Sequence, residues 1–190
     1  MKRYYPIFLD LSGKNVRVVG GGKVAQRKIA ALLKLGVKIF VTSIQFDPKI
    51  LGLAREKKIS IVKRGFKAAD LKNMDLVFCA TNDSKINLQV SRECQKRGIW
   101  VNVADQPALC SFIVPSIVRR GEVAIAVSTG GASPALAKFL RKKIEKAVGP
   151  QFGVAAKTLK KFRKKIVKIP LTRRRKMISK ILEELNHGND

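Results

Sequence analysis

Three consecutive glycines, Gly20-Gly21-Gly22, stand between the β-branched run Val16 to Val19 and a helical stretch that closes at Gly36. With Lys23, Val24 and Ala25 they spell G-x-G-x-x-A at a strand-to-helix junction. The first glycine permits a tight turn, and the third lets backbone approach a pyrophosphate. The alanine keeps the helix close to the sheet, and unpaired N–H groups at the helix start face the anion. Such a turn is informative only inside a β-α-β unit, so the following residues decide its meaning.

They continue the alternation. Ala25 to Leu35 has apolar residues at helical spacing, and Val37 to Val41 reads as a second strand. Asp47-Pro48 opens a second helix, with Asp as N-cap and Pro as first helical residue. Ile59 to Val62, Leu76 to Ala80 and Ile99 to Val103 read as three more strands, and Ile86 to Arg97 as a helix. Short connections between alternating elements predict a parallel, doubly wound sheet. From Ser111 the pattern changes. Phe112 to Val118 and Val123 to Val127 flank Arg119-Arg120-Gly121-Glu122 as an antiparallel hairpin. Ser133-Pro134 opens a further helix, which Gly149-Pro150 breaks, and two basic helices follow at about 151–168 and 171–186. The last residues, 186–190, are expected to fray. The expected class is α/β: a Rossmann-type parallel sheet at 1–111, a small α+β region at 112–148 and a basic C-terminal helical region at 149–190.

Ligands of open α/β sheets lie outside the carboxyl ends of the strands. After the second strand comes Ser43-Ile44-Gln45, with no acid before Asp47 to hold ribose hydroxyls and no Arg or Lys to hold a 2′-phosphate. These residues leave NAD and NADP both open, with Ile44 and Gln45 as the adenosine contacts. The fourth strand ends at Thr81-Asn82-Asp83. Thr81 and Asn82 would border the nicotinamide ribose, unless Asn82 or Asp83 simply caps the next helix. The fifth ends at Asn102-Val103-Ala104-Asp105. Strand alternation would put Asp105 on the face of Val101 and Val103. A carboxylate at that edge is a candidate general base, or else a turn residue before Pro107.

Charge and cysteine content narrow the function classes. The 190 residues carry a formal charge of +27, and Lys138 to Lys180 holds 17 Lys and Arg against one acid, Glu145. Such a field suits nucleic acid, an anionic surface or a polycarboxylate substrate, or is a solvated face. No apolar stretch approaches the roughly 20 residues that span a bilayer, and the N-terminus lacks a signal-peptide apolar region, so a cytoplasmic protein is expected. Cys79, Cys94 and Cys110 have no CxxC spacing and read as buried thiols. The single histidine, His187, lies in the tail, so no metal site is expected.

Several segments resemble one family, in order along the chain: Pro6-Ile7-Phe8-Leu9, Val18 to Ala25, Arg27-Lys28, Ala80 to Asp83, Asn102 to Asp105, Ser111 to Ser116, and Val127 to Pro134. The family is that of precorrin-2 dehydrogenases and sirohydrochlorin ferrochelatases, including the N-terminal part of siroheme synthases, and the resemblance covers about residues 4–148. It implies NAD at the glycine turn, a homodimer built through the region after Ser111, and a functional role for Asp105. Precorrin-2 would be the substrate, oxidised to sirohydrochlorin. Ser128, Thr129, Gly130, Gly131 and Ser133, at a helix N-terminus, would receive its carboxylates, unless Ser133 is a plain N-cap. The cofactor-binding set would be Gly20, Gly22, Lys23, Val24, Ile44, Gln45, Thr81 and Asn82. Without the methyltransferase half of siroheme synthase, the chain would take precorrin-2 from another protein. Insertion of ferrous or cobaltous ion, a non-catalytic NAD-sensing module and a nucleic-acid binder are the competing expectations.

Overall fold

A computed structural model describes residues 4–166 and 169–187. The chain divides into two compact units, Met1–Val114 and Pro115–Asp190. In the first, five strands form one sheet: β1 (Asn15–Val19), β2 (Lys38–Ser43), β3 (Ser60–Lys63), β4 (Leu76–Cys79) and β5 (Trp100–Val103). Their order is β3-β2-β1-β4-β5, with every pairing parallel. The chain reverses direction across the sheet beside β1, so the carboxyl end of β1 lies at the topological switch point, where such sheets take ligands.

Alternation on the strands builds two cores. Val16, Val18, Ile39, Val41, Leu76 and Phe78 pack under Ala25, Ile29 and Leu32 of α1 (Lys23–Leu32) and Ile50 of α2 (Pro48–Arg55). Val19, Val77, Cys79, Val101 and Val103 pack on the other face against Val90 and Cys94 of α3 (Ser84–Lys96). α1 runs into a 3₁₀ turn, Leu33–Leu35, that stops at left-handed Gly36. Asp47 caps α2 by accepting from the Lys49 amide (2.9 Å), with Pro48 in the first turn. β2 begins one residue later than the hydrophobic run predicts and extends to Ser43, because pairing with β1 and β3, not hydrophobicity, sets its ends.

A charged side chain interrupts the apolar run of the central strand. Arg17 of β1 is buried, donating to the Asp70 carbonyl (3.0 Å) and to Thr42 Oγ1 (3.1 Å). The buried Asp70 carboxylate takes a two-pronged hydrogen bond from Arg64 (2.6 and 2.9 Å) and one from the Lys67 amide (2.9 Å). Burial pushes the Asp70 carboxyl up. The bonds from Arg64 and Lys67, with the charges of Arg17 and Arg64, outweigh this and hold it below the usual carboxylate value.

The second unit pairs β6 (Ser116–Arg120) with β7 (Val123–Val127), antiparallel, and adds α4 (Pro134–Ala147), α5 (Pro150–Ile166) and α6 (Leu171–His187). The hairpin turn is only Gly121-Glu122, since Arg119 and Arg120 pair with Ala124 and Val123. Gly121 has φ +57° at the first turn position while Glu122 is not left-handed, the combination that suits right-handed strand twist. Arg120 donates to the carbonyls of Glu145 and Val148 (2.9 Å each), capping the end of α4 with positive charge. Gly153 of α5 is buried against the turn; a Cβ there would stand 2.6 Å from the Arg120 carbonyl oxygen. α6 runs to His187, where fraying is expected from 186, and the His187 side chain lies outside the described residues. Among the described residues no helix is long and apolar enough to cross a membrane.

Candidate cofactor and catalytic site

The glycine turn is locked on two sides. Gly20 has φ +113°, and a Cβ on it would overlap the Ala80 carbonyl at the end of β4; its amide donates to the Thr42 carbonyl (2.9 Å). A Cβ on Gly21 would overlap the Gln45 carbonyl in the loop after β2, and the Asp47 amide donates to the Gly21 carbonyl (2.7 Å). Gly21 is a required residue that the G-x-G-x-x-A pattern leaves unassigned. Only the folded loop after β2 reveals the need.

Gly22 differs. It is the N-cap of α1, exposed, and a Cβ there would meet nothing within 4 Å. No side chain caps α1, and no acid lies in its first turn. Helix-start amides with neither a capping oxygen nor a nearby acid, beside a glycine in open space, suit a phosphate anion. The residues present therefore fit a dinucleotide, with Gly22, Lys23 and Val24 at its pyrophosphate. Ala25 is fully buried under the helix.

The neighbouring strand ends complete this edge. Ile44 (68% exposed) and Gln45 are solvent-facing after β2. After β4, Thr81 Oγ1 is engaged with Asn87 Oδ1 (2.6 Å) and the Asp83 carbonyl (3.2 Å), which leaves its hydroxyl a structural brace. The N-cap of α3 is Asp83, accepting from the Lys85 and Ile86 amides (2.8 and 3.2 Å), and Asn82 is exposed. After β5, the extended strand stops at Val103, and Asp105 adopts φ +57°. Strand alternation thus does not reach Asp105, which stands exposed in a turn instead of continuing the face of Val101 and Val103. Lys57 and Asn73 share this left-handed backbone, and aspartate is among the non-glycine residues that adopt it most readily.

Behind this edge lies a polar cluster that no motif announces. Lys28 of α1 donates to Asn102 Oδ1 on β5 (2.9 Å) and stands 4.9 Å from the centre of the Phe78 ring. Asn102, buried, donates to the Phe112 carbonyl (3.1 Å).

Ser128, Thr129, Gly130, Gly131 and Ser133 belong to the second unit. Ser133 caps α4 by accepting from the Leu136 amide (3.1 Å). Thr129 Oγ1 accepts from the Ser133 amide (3.1 Å) and donates to its carbonyl (3.0 Å), and the Gly130 amide donates to Ser128 Oγ (3.1 Å). Gly130 and Gly131 are both left-handed and exposed. Cys79, Cys94 and Cys110 are buried and form no disulfide, and burial pushes the Cys79 and Cys94 thiols up to about 12. Among the described residues no three His, Cys, Asp or Glu side chains group as metal ligands.

Residues 7–116 match a family model described as "Putative NAD(P)-binding", and residues 120–147 one described as "Sirohaem biosynthesis protein central". The chain is 40% identical over 182 residues to a siroheme synthase of Thioalkalivibrio sulfidiphilus, covering 95% of this chain and 37% of that protein. It is 42% identical over 161 residues to a siroheme synthase of Methylobacillus flagellatus, covering 85% and 34%. The chain thus spans about a third of the length of these curated relatives. Among solved structures, "SirC, precorrin-2 dehydrogenase" superposes with a TM-score of 0.79 at 26% identity, covering 94% of this chain and 89% of that one.

Proposed function

Since this chain belongs to the NAD(P)-binding family of siroheme biosynthesis, we propose that it oxidises precorrin-2 to sirohydrochlorin with NAD as acceptor. One observation carries the reading. The uncapped start of α1 and the exposed, left-handed Asp105 stand at the carboxyl ends of one parallel sheet, with β4 between β1 and β5. Dehydrogenation removes a hydride and a proton, and NAD, when bound, takes up the hydride. The protein's own part is placement and proton handling. Gly22, Lys23 and Val24 hold the pyrophosphate, Ile44 and Gln45 flank the adenosine, and Thr81 and Asn82 border the nicotinamide ribose. The Asp105 carboxylate accepts the proton as general base, a role typically worth roughly 10²–10⁴-fold in rate.

Ser128, Thr129, Gly130, Gly131 and Ser133 are assigned to the substrate's carboxylates. The Thr129 hydroxyl and the Gly130 amide are committed within the loop, whereas the Ser128 and Ser133 hydroxyls only accept there, so their O–H groups are the donors offered to a carboxylate. The chain acts as a homodimer formed through its second unit, where Leu136, Phe139 and Leu140 of α4 are 48%, 53% and 37% exposed. The three regions 1–111, 112–148 and 149–190 then serve cofactor binding, dimerisation with substrate contact, and a basic flank. The work is that of a water-soluble cytoplasmic enzyme.

The experiment is an anaerobic assay of precorrin-2 with NAD, following NADH. Asp105→Asn should lower kcat by about 10²-fold or more. Near-wild-type turnover would remove Asp105 from the chemistry, and no turnover by the unmodified chain would remove the reaction. Adding ferrous or cobaltous ion to the same mixture reads metal insertion separately.

A further inference from the structure

Lys28 sits in the middle of α1, on the side turned toward the sheet and half-buried. An ammonium is a costly choice for such a place, since burial penalises the charge. Burial does lower its proton affinity; the field of Cys110 and then that of Asp105 oppose this, and Arg27 adds to it. A methionine would span the same depth with no charge to desolvate, but it would take this donor away from the buried Asn102 Oδ1. What the ammonium makes is a bridge. It joins α1, whose first turn faces the proposed pyrophosphate, to Asn102 on β5. Asn102 is itself tied to the Phe112 carbonyl, and Phe112 packs edge-on against the same Phe78 ring over which the ammonium stands (centroids 5.5 Å apart). Asp105 follows Asn102 by three residues, in a turn that begins where β5 ends.

We propose that Lys28 is a positioning residue for the dehydrogenation: by holding Asn102 it fixes the end of β5, and so the Asp105 carboxylate, relative to the cofactor end of α1. The inference rests on the assignment of Asp105 as general base. It predicts that Lys28 and Asn102 act through one another, because each is half of a single link. A misplacement on the order of 1 Å at a reacting group can cost roughly 10²-fold, whereas cofactor affinity is set at the first turn of α1, away from Lys28.

The test uses the full chain in the anaerobic assay, with kcat, the KM for NAD and Tm read for Lys28→Met, Asn102→Ala, the double variant and Lys28→Arg. Expected are a kcat lowered about 10-fold or more in Lys28→Met, a KM for NAD within about 3-fold of the unmodified chain, and partial recovery in Lys28→Arg. The double variant should lose no more than the worse single variant. If Lys28→Met fails to fold, Lys28→Gln carries the same comparison. An unchanged kcat in the Lys28 variants, a loss confined to Tm, or single losses that multiply in the double variant would each overturn the proposal. Asp105→Asn is assayed alongside. If it is inactive while Lys28→Met is normal, only the bridge is refuted; if it is active, the general-base assignment falls and the bridge with it.

Discussion

Replacing Gly21 and Gly22 one at a time by alanine separates the two jobs of the glycine turn, because the same methyl group meets opposite surroundings. At Gly21 the new Cβ would overlap the Gln45 carbonyl and stand 2.9 Å from Ser43 Oγ and 3.0 Å from Phe46 Cδ1. The Gln45 carbonyl cannot swing away cheaply, since the Asp47 amide two residues on is bonded to Gly21 itself and Asp47 caps α2. Overpacking of this kind costs about 1–3 kcal/mol. At about 4 °C per kcal/mol for a unit of this size, Gly21→Ala should lower Tm by roughly 4–12 °C. At Gly22 the backbone is extended (φ −87°, ψ −170°) and the Cβ meets open space. The stability cost there is the modest preference of an N-cap for glycine over alanine, below about 1 kcal/mol. The methyl would instead occupy the space assigned to the pyrophosphate. Losing one charge-assisted contact, about 1.5–3 kcal/mol, raises the Kd for NAD roughly 10- to 150-fold. Thermal melts and calorimetric NAD titration on both variants provide the measurements. A Gly22→Ala chain that binds NAD like the unmodified one would refute the pyrophosphate assignment. A Gly21→Ala chain with unchanged Tm would refute the steric account.

Asp70 has a carboxyl pKa depressed in the folded state, so its contribution to stability is complete above the unfolded value near 4 and lost as pH falls through the lower folded value. Asp70→Asn should cost about 2–3 kcal/mol at pH 7, toward or below the low end for a broken buried pair because the Arg64 side chain is 35% exposed. It should also flatten the acid limb of stability below about pH 4, and urea melts at pH 7 and pH 3 that show equal losses would contradict this. The proposed homodimer predicts that light scattering finds about twice the chain mass at micromolar concentration and that Phe139→Glu returns it to one chain. A monomeric unmodified chain would end that reading.

The alternation of strands and helices is legible in the sequence because each element carries its own period and its own punctuation. Asp47-Pro48 and Ser133-Pro134 start helices where a cap and a fixed φ are both supplied, and the structure uses them so. Strand ends are less legible: β2 runs to Ser43 because β3 pairs with it there, information that a local run of valine and isoleucine lacks. The same limit hides Gly21, whose neighbour Gln45 is distant in sequence, and Lys28, which on a helical wheel is one more cation beside Arg27. Asp105 is readable as a carboxylate near the ligand edge. Its left-handed turn is not, since β5 ends at Val103 and alternation extended to Asp105 has no strand to rest on.

Gly153 has a consequence for how far the second unit extends. Two strands alone hold little structure in water. This hairpin leans on α4 and also on α5, which begins at the Gly149-Pro150 break and meets the turn at a spot so tight that hydrogen is the largest substituent it admits. Shortening the polypeptide at that break would strip the cover from the Arg120 carbonyl and leave the ribbon backed by α4 alone. The lysine-rich helix is therefore masonry as well as charge, and changes to its basic side chains must be made on the surface that looks away from the turn.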